Sequence, residues 1–267
     1  MSALALALAD GAVVAKRNLI KIKRVPEVLI WTTMSPIMFV LLFSYVFGAS
    51  IAVDGVNYRE FLMAGIFAQT MIFGSTFTGA GLAEDMTKGI IDRFRSLPIS
   101  KSAVLIGRTA SDIVYNLISI VVMSLTGLLV GWRIRTSIAD AVAGFLLLLL
   151  FSYAVSWIMA FVGLKVTSVE VVNNASFMFI MPLTFVSNAF VPSENLPGPL
   201  RTFAEWNPIS SLTLAARELF GNTGGIPAAD VWSLQNPLAY TLICVFGILA
   251  VFIPLSIRQY GKTAARG

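Results

Sequence analysis

Six apolar stretches, each near the 20 residues that about 30 Å of hydrocarbon demands, constrain this chain more than any other feature. They lie near residues 28–49, 60–82, 102–131, 138–161, 171–190 and 237–257. Backbone amides surrounded by lipid need partners within their own segment, so stretches of this length are expected to be transmembrane helices. Composition agrees: 57% of residues are hydrophobic, 12% are charged, and the mean hydropathy is +0.83. Soluble domains carry roughly 25% charged residues. Six spans with short loops use most of the 267 residues, so no separate soluble catalytic domain is expected. The single cysteine, Cys244, sits inside the last apolar stretch, and histidine is absent. A disulfide framework or a cysteine zinc site is therefore not expected, and the commonest metal ligand and general base is missing.

An even number of spans puts both termini on one side. That side collects every lysine and arginine except Arg59, Arg133, Arg135, Arg201 and Arg217, which predicts both termini on the cytoplasmic face of the plasma (inner) membrane. The net charge of +5 and the pI near 9.5 then reflect topology and contact with anionic headgroups, not binding to nucleic acid. The apolar run from Ala3 to Ala9 precedes Asp10, and Lys16, Arg17, Lys21 and Lys23 come later still, the reverse of a secretory signal. With Leu19, Ile20 and Ile22 set among those cations, residues 1–26 read as an amphipathic helix along the inner interface. A frayed basic tail is the plainer alternative.

Between the second and third stretches lies a long charged island, EDMTKGIIDRFRSLPISKSAVLIGRTASD, from Glu84 to Asp112. Met86, Ile90, Phe94 and Leu97 recur at helical spacing, Glu84 and Asp85 open the segment, and Arg93 and Arg95 close it. That order suits the helix dipole. Pro98 disfavours helix at Leu97, and Ser100 is placed to cap the next helix. A short amphipathic helix over 84–97 is therefore predicted on the cytoplasmic surface. Between the fifth and sixth stretches, residues 191–236 form the longest outward segment. There Ser211 can cap a helix whose Leu212, Ala215, Ala216, Leu219 and Phe220 share a face, and Gly221 can end it. Upstream, Pro199 marks a helix start and Trp206 suits the interface, before Pro208 interrupts.

Ionisable residues gather at span edges, which argues against an ion-coupled antiporter. Arg108 and Asp112 can pair at i, i+4. Glu170, Asn173 and Asn174 open the fifth stretch, either as a polar helix start or as an inner-gate hinge. Pro182 bends or breaks that stretch, and Ser187 and Asn188 can satisfy the freed backbone groups. Phe177, Phe185 and Phe190 can offer an apolar lining to a cleft, or face lipid. On the second stretch Gln69, Phe73, Ser75, Thr76 and Thr78 form the other candidate lining, and Gly65, Gly74, Gly79 and Gly81 permit close packing. Gln69, Phe73, Thr76, Phe177, Phe185 and Asn188 are the candidate pathway residues. The tail Gly261, Lys262, Thr263 ends like a phosphate-binding loop, but Ser256 replaces the first glycine, so it reads as a basic tail.

The wording DRFRSLPISKSAVLIGRTASD, and the block from Met181 to Phe220, MPLTFVSNAFVPSENLPGPLRTFAEWNPISSLTLAARELF, resemble the permeases of the ABC-2 type transporter family, particularly the daunorubicin-resistance-like drug or lipid exporters of bacteria. The resemblance implies an all-α integral membrane protein of six spans with an interfacial N-terminal helix. It also implies a coupling helix between spans 2 and 3 and re-entrant extracellular helices between spans 5 and 6. The chain would not be catalytic by itself. Two copies of an ABC ATP-binding subunit would hold the ATP and Mg²⁺, and Glu84, Asp85, Ile90, Arg93, Phe94, Arg95 and Leu97 would dock in a groove of that subunit. A second permease chain, identical or paralogous, would complete the pore, and an amphipathic small molecule or lipid would pass outward. Polysaccharide export, an ion-coupled antiporter and a lipid-modifying enzyme are the alternatives.

Overall fold

The computed structural model describes residues 10–18, 20, 26–47, 57–95, 102–166, 168–224 and 229–263. Helices account for the regular structure, and no strand occurs among the described residues. In chain order they are α1 (residues 10–18), α2 (Pro26–Leu42, continued by a π-helical turn at Phe43–Phe47), α3 (Tyr58–Gly74), α4 (Thr76–Thr87), α5 (Ile90–Arg95) and α6 (Ala103–Leu129). There follow α7 (Ile138–Lys165), α8 (Val169–Phe185), α9 (Gly198–Glu205), α10 (Pro208–Phe220), α11 (Trp232–Gln235) and α12 (Pro237–Thr263).

Among the described residues, four helical stretches are long and apolar enough to cross a membrane: Tyr58–Thr87, Ala103–Leu129, Ile138–Lys165 and Pro237–Lys262. Thr33–Val46 and Val169–Phe185 are shorter apolar helices. At about 1.5 Å per residue, the 17 residues of α8 reach only about 26 Å, short of a full hydrocarbon core. The fifth apolar stretch thus stops being helical at Phe185 rather than at residue 190. Pro182 lies in the last turn, and Val186 N–H closes onto Pro182 O at 2.8 Å. Asn207 from α10 then donates to Leu183 O (2.7 Å) and Val186 O (2.9 Å), so a distant amide satisfies carbonyls that Ser187 and Asn188 were expected to serve. Ser187 does contribute locally, donating to Thr184 O and accepting from Ala189 N–H.

The stretch Tyr58–Thr87 is the most enclosed, while Pro237–Lys262 lies at the periphery. A jog at Ser75 separates α3 from α4. Its hydroxyl bonds back to Met71 O (3.0 Å) and across to Ser152 O of α7 (2.9 Å), the kind of back-bonding that bends helices. Beyond the jog, α4 crosses α7 where Gly79 meets Gly163, so closely that a Cβ on Gly163 would stand 2.3 Å from Gly79 O. Only a residue without a side chain fits there, and this approach is what lets α7 act as the central post.

The helix ends sort into two layers. One holds the buried cluster Leu82, Ile91, Val104, Leu105, Trp157, Ala160, Leu164 and Tyr260, which joins the ends of α4, α6, α7 and α12 to α5. The opposite layer holds α9, α10 and the α6–α7 loop. Asn207 caps α10 by accepting from Ile209 N–H (2.9 Å). The helix therefore begins at Pro208, three residues before the expected Ser211 cap, because proline is well suited to the first helical position. Gly221 ends it with φ 72°.

Candidate functional site

Two regions gather the polar and aromatic residues singled out in the sequence. The first is a cavity of about 660 Å³ bounded by α2, the α3–α4 jog, α6 and α8. α2 contributes Ser35, Pro36 and Phe39. The jog contributes Gln69, Thr70, Phe73, Thr76 and Phe77. α6 contributes Tyr115, Asn116 and Ser119, and α8 contributes Asn173, Ser176, Phe177 and Met181. Four of the candidate pathway residues, Gln69, Phe73, Thr76 and Phe177, thus share one cavity. Phe73 and Phe177 pack ring to ring at 5.3 Å with planes tilted by 56°, joining α3 to α8. Gln69 is buried (3% exposed), and its Nε2 has no hydrogen-bond partner among the described residues.

The other two candidates lie elsewhere. Phe185 stacks on Phe190 at 5.3 Å, and Phe190 on Phe43 at 4.9 Å, an aromatic seam outside the cavity lining. Asn188 is buried in the layer of α10. Its N–H donates to Ser210 Oγ (3.0 Å) and its carbonyl accepts from Arg217 (2.8 Å). Ser75 and Thr78 also stay out of the lining, the first bonded to Ser152 and the second donating to Asp112. The expected Arg108–Asp112 pair does not form. Both residues turn to α4 instead, Arg108 donating to Phe77 O (2.8 Å) and Asp112 accepting from Thr78, because the neighbouring helix offers each a partner within the bundle.

Asn116 and Ser119 were not singled out beforehand, although a signal existed. Asp112, Asn116 and Ser119 repeat at i, i+4 and i+7 on α6, a polar stripe on one face. Asn116 Nδ2 donates to Ser152 Oγ, leaving its carbonyl side against Gly74.

The second region is the charged island. The single helix expected over 84–97 is divided. α4 carries Glu84 and Asp85 to its end at Thr87, Gly89 follows with φ 64°, and α5 begins at Ile90. The Lys88–Gly89 pair is a helix-stop signal that was present in the sequence. Asp85 is buried and pairs with Arg17 of α1 at 3.2 Å, while the Arg17 guanidinium lies 4.8 Å from the Phe94 ring centre. Asn18 donates to Ser111 Oγ at 3.2 Å. Asp85 and Phe94, expected to face a partner, are therefore engaged by α1. Thr87, Lys88 and Arg93 are exposed, and Lys88 pairs with Glu84, an interaction that raises the pKa of the amine. Ile90 is half-buried and Ile91 buried. The side chain of Arg95, and Leu97 altogether, lie outside the described residues.

The opposite layer is tied by charge. Arg217 is buried and donates to Phe61 O (2.9 Å), Asn188 O (2.8 Å) and Ala189 O (2.9 Å), with its guanidinium 3.5 Å from the Phe61 ring centre. Burial pulls its pKa down to about 9, so it stays charged at neutral pH. Arg135 grips Glu60 through two bonds of 2.9 and 2.8 Å, and Trp132 Nε1 donates to Asn222 Oδ1 at 2.7 Å.

Comparison with known proteins matches residues 11–220 to the ABC-2 type transporter family. The chain is 33% identical over 245 residues to the daunorubicin resistance ABC transporter permease protein DrrB1 of Streptomyces coeruleorubidus, covering 91% of this chain and 83% of that one. It is 25% identical over 187 residues to the probable doxorubicin resistance ABC transporter permease protein DrrC of Mycobacterium tuberculosis, covering 70% and 64%.

Proposed function

The chain belongs to the ABC-2 type transporter family, and on that premise we propose that it forms half of an export pore for an amphipathic drug or lipid, driven by a separate ATP-binding subunit. Two such chains, identical or paralogous, would make the pore, with six spans each and both termini cytoplasmic. The observation that carries this reading is the continuity of one element. The jog that walls the cavity with Gln69, Phe73 and Thr76 leads directly through α4 to the exposed turn at Lys88 and Arg93. Movement imposed at that turn by the ATP-binding subunit would be transmitted along a packed helix to the cavity wall, so that ATP bound at one end biases a two-state equilibrium at the other. Aromatic side chains interleaved with neutral polar groups suit an amphipathic ligand.

The ATP-binding subunits would dock on Glu84, Lys88, Gly89 and Arg93, while Asp85 and Phe94 would hold the docking turn in place through Arg17. ATP and Mg²⁺ belong to those subunits, so the chain itself would catalyse nothing. The relatives named above are a daunorubicin resistance permease and a probable doxorubicin resistance permease, and that supports a drug over a polysaccharide.

The test is ATP hydrolysis and transport by the chain co-purified with its ATP-binding subunit, comparing the wild type with Arg93→Ala and with Lys88→Glu. Loss of subunit association or of coupled transport, with the bundle still folded, is the expected result. An intact, transport-competent complex in both variants would sink the coupling assignment.

A further inference from the structure

We propose that Arg258 and Lys262 of α12, with Lys165 of α7 beside them, form a binding site for the headgroup of an anionic phospholipid; this stands whatever passes through the cavity. α12 lies at the periphery of the bundle. Val251 (51% exposed) and Leu255 (36% exposed) lie on its outer face. Arg258 and Lys262 follow at i+7 and i+11 from Val251, which puts all four on one face of the helix, and both cations are exposed. A stripe that passes from apolar to cationic within a few turns matches a lipid, whose acyl chain lies along the hydrocarbon and whose phosphate lies at the surface.

The third cation comes from the neighbouring helix. Leu164 and Tyr260 are buried in one cluster, and Ser256 Oγ donates to Trp157 O at 3.2 Å. Lys165, at the end of α7, therefore comes to the depth of Tyr260, between Arg258 and Lys262 along α12. Its amine lies 4.9 Å from the Phe161 ring centre, and Phe161 meets Phe252 edge to face at 6.0 Å, which holds the lysine stem at the α7–α12 seam. Elsewhere in this layer Arg17 is engaged by Asp85, Lys88 by Glu84 and Arg108 by Phe77 O. Lys165, Arg258 and Lys262 pair with no carboxylate among the described residues, and Glu170, the acid nearest to Lys165 in sequence, is exposed at the start of α8. Like charges one turn apart on a helix repel, and an anionic headgroup removes that cost while its acyl chain covers Val251 and Leu255. A soluble anion would answer the charges and leave the apolar stripe unused, so a lipid fits better.

The test titrates the purified full chain, in a neutral detergent, with phosphatidylglycerol and with phosphatidylcholine of the same acyl chains, counting bound lipid by native mass spectrometry. The first phosphatidylglycerol is expected to bind at least about tenfold more tightly than the first phosphatidylcholine. That preference should shrink to less than about threefold in Arg258→Gln/Lys262→Gln and fall partway in each single substitution. The charge-keeping Arg258→Lys/Lys262→Arg should retain it. Lys16→Gln, which removes an exposed cation of α1, separates a site from a diffuse positive surface and should leave the preference unchanged. Equal affinity for the two lipids in the wild type overturns the inference whether or not any variant folds. An unchanged preference in the folded double or single variants, or an equal loss in Lys16→Gln, overturns the assignment to α12 and α7. Displacement of the lipid by inorganic phosphate at the same concentration assigns the cations to a soluble anion and overturns the lipid.

Discussion

Arg217 is a full charge that pairs with no carboxylate among the described residues, and its hydrogen bonds to three backbone carbonyls explain why it survives there. Those carbonyls belong to Phe61, Asn188 and Ala189, so one side chain joins α10, the start of α3 and the non-helical segment after α8. Guanidinium suits this geometry because its donors diverge in a plane, and its face lies against Phe61. Replacement by methionine would keep much of the volume and orphan three buried acceptors, a loss of about 3 kcal/mol. Lysine would recover part of it, since an ammonium can reach some of the carbonyls but not in the same fork. Thermal unfolding of the purified chain in detergent should therefore rank wild type above Arg217→Lys and that above Arg217→Met; equal midpoints would show that the clamp contributes nothing. The sequence marked Arg217 only as one of five cations on the outward side. Its role rests on partners up to 156 positions away, and no local pattern encodes a contact of that range.

At the level of elements, periodicity and punctuation were legible, whereas crossings were not. The long apolar helices, the apolar face of α10 and its glycine stop all followed from residue spacing. Four of the six candidate pathway residues share one cavity, because α3, α4 and α8 carry polar and aromatic groups on the faces that border it. The division of 84–97 was missed because apolar spacing continued through Gly89 while the backbone reversed there. The gathering of Asn207 onto the end of α8 was missed because Pro208 read as a breaker instead of a helix start. Gly79 stood out as a packing residue, but its partner Gly163 did not, since each glycine is informative only once the other is known. That crossing makes a sharp test. Gly163→Ala places a methyl 2.3 Å from Gly79 O, and backbone cannot yield as a flexible side chain would, so a loss of about 1–3 kcal/mol is expected. Gly163→Leu should prevent α4 and α7 from packing and lower the yield of folded chain by size exclusion. Gly247→Ala, which meets nothing within 4 Å in this chain, is the control and should leave the yield unchanged. A folded Gly163→Leu chain of wild-type stability would mean that the two helices do not cross as described.

For the whole molecule, the two layers of helix ends differ in what holds them. The layer of α10 is fixed by Arg217, by the two-bonded Glu60–Arg135 pair and by Trp132 with Asn222. The opposite layer holds an apolar cluster, the exposed Lys88–Glu84 pair and the half-exposed pair of Arg17 with Asp85, whose arginine also covers Phe94. Partly exposed pairs of this kind, Arg135 with Glu60 included, contribute no more than about 1 kcal/mol, so the buried Arg217 is what sets the layer of α10 apart. If an ATP-binding subunit pushes on the turn at Lys88 and Arg93, the contact of Arg17 with both Asp85 and Phe94 decides whether the push reaches α4 or only tilts α5. Arg17→Ala should then leave the complex assembled and ATP hydrolysis near its wild-type rate, while transport per ATP hydrolysed falls several-fold. Arg17→Lys keeps the charge on Asp85 but covers Phe94 less well, and should fall between the two. Measuring both rates in the same proteoliposomes separates this from simple instability, which lowers them together. A parallel fall, or unchanged coupling in Arg17→Ala, would assign α1 to anchoring alone and leave α4 as the sole route from the docking turn to the cavity.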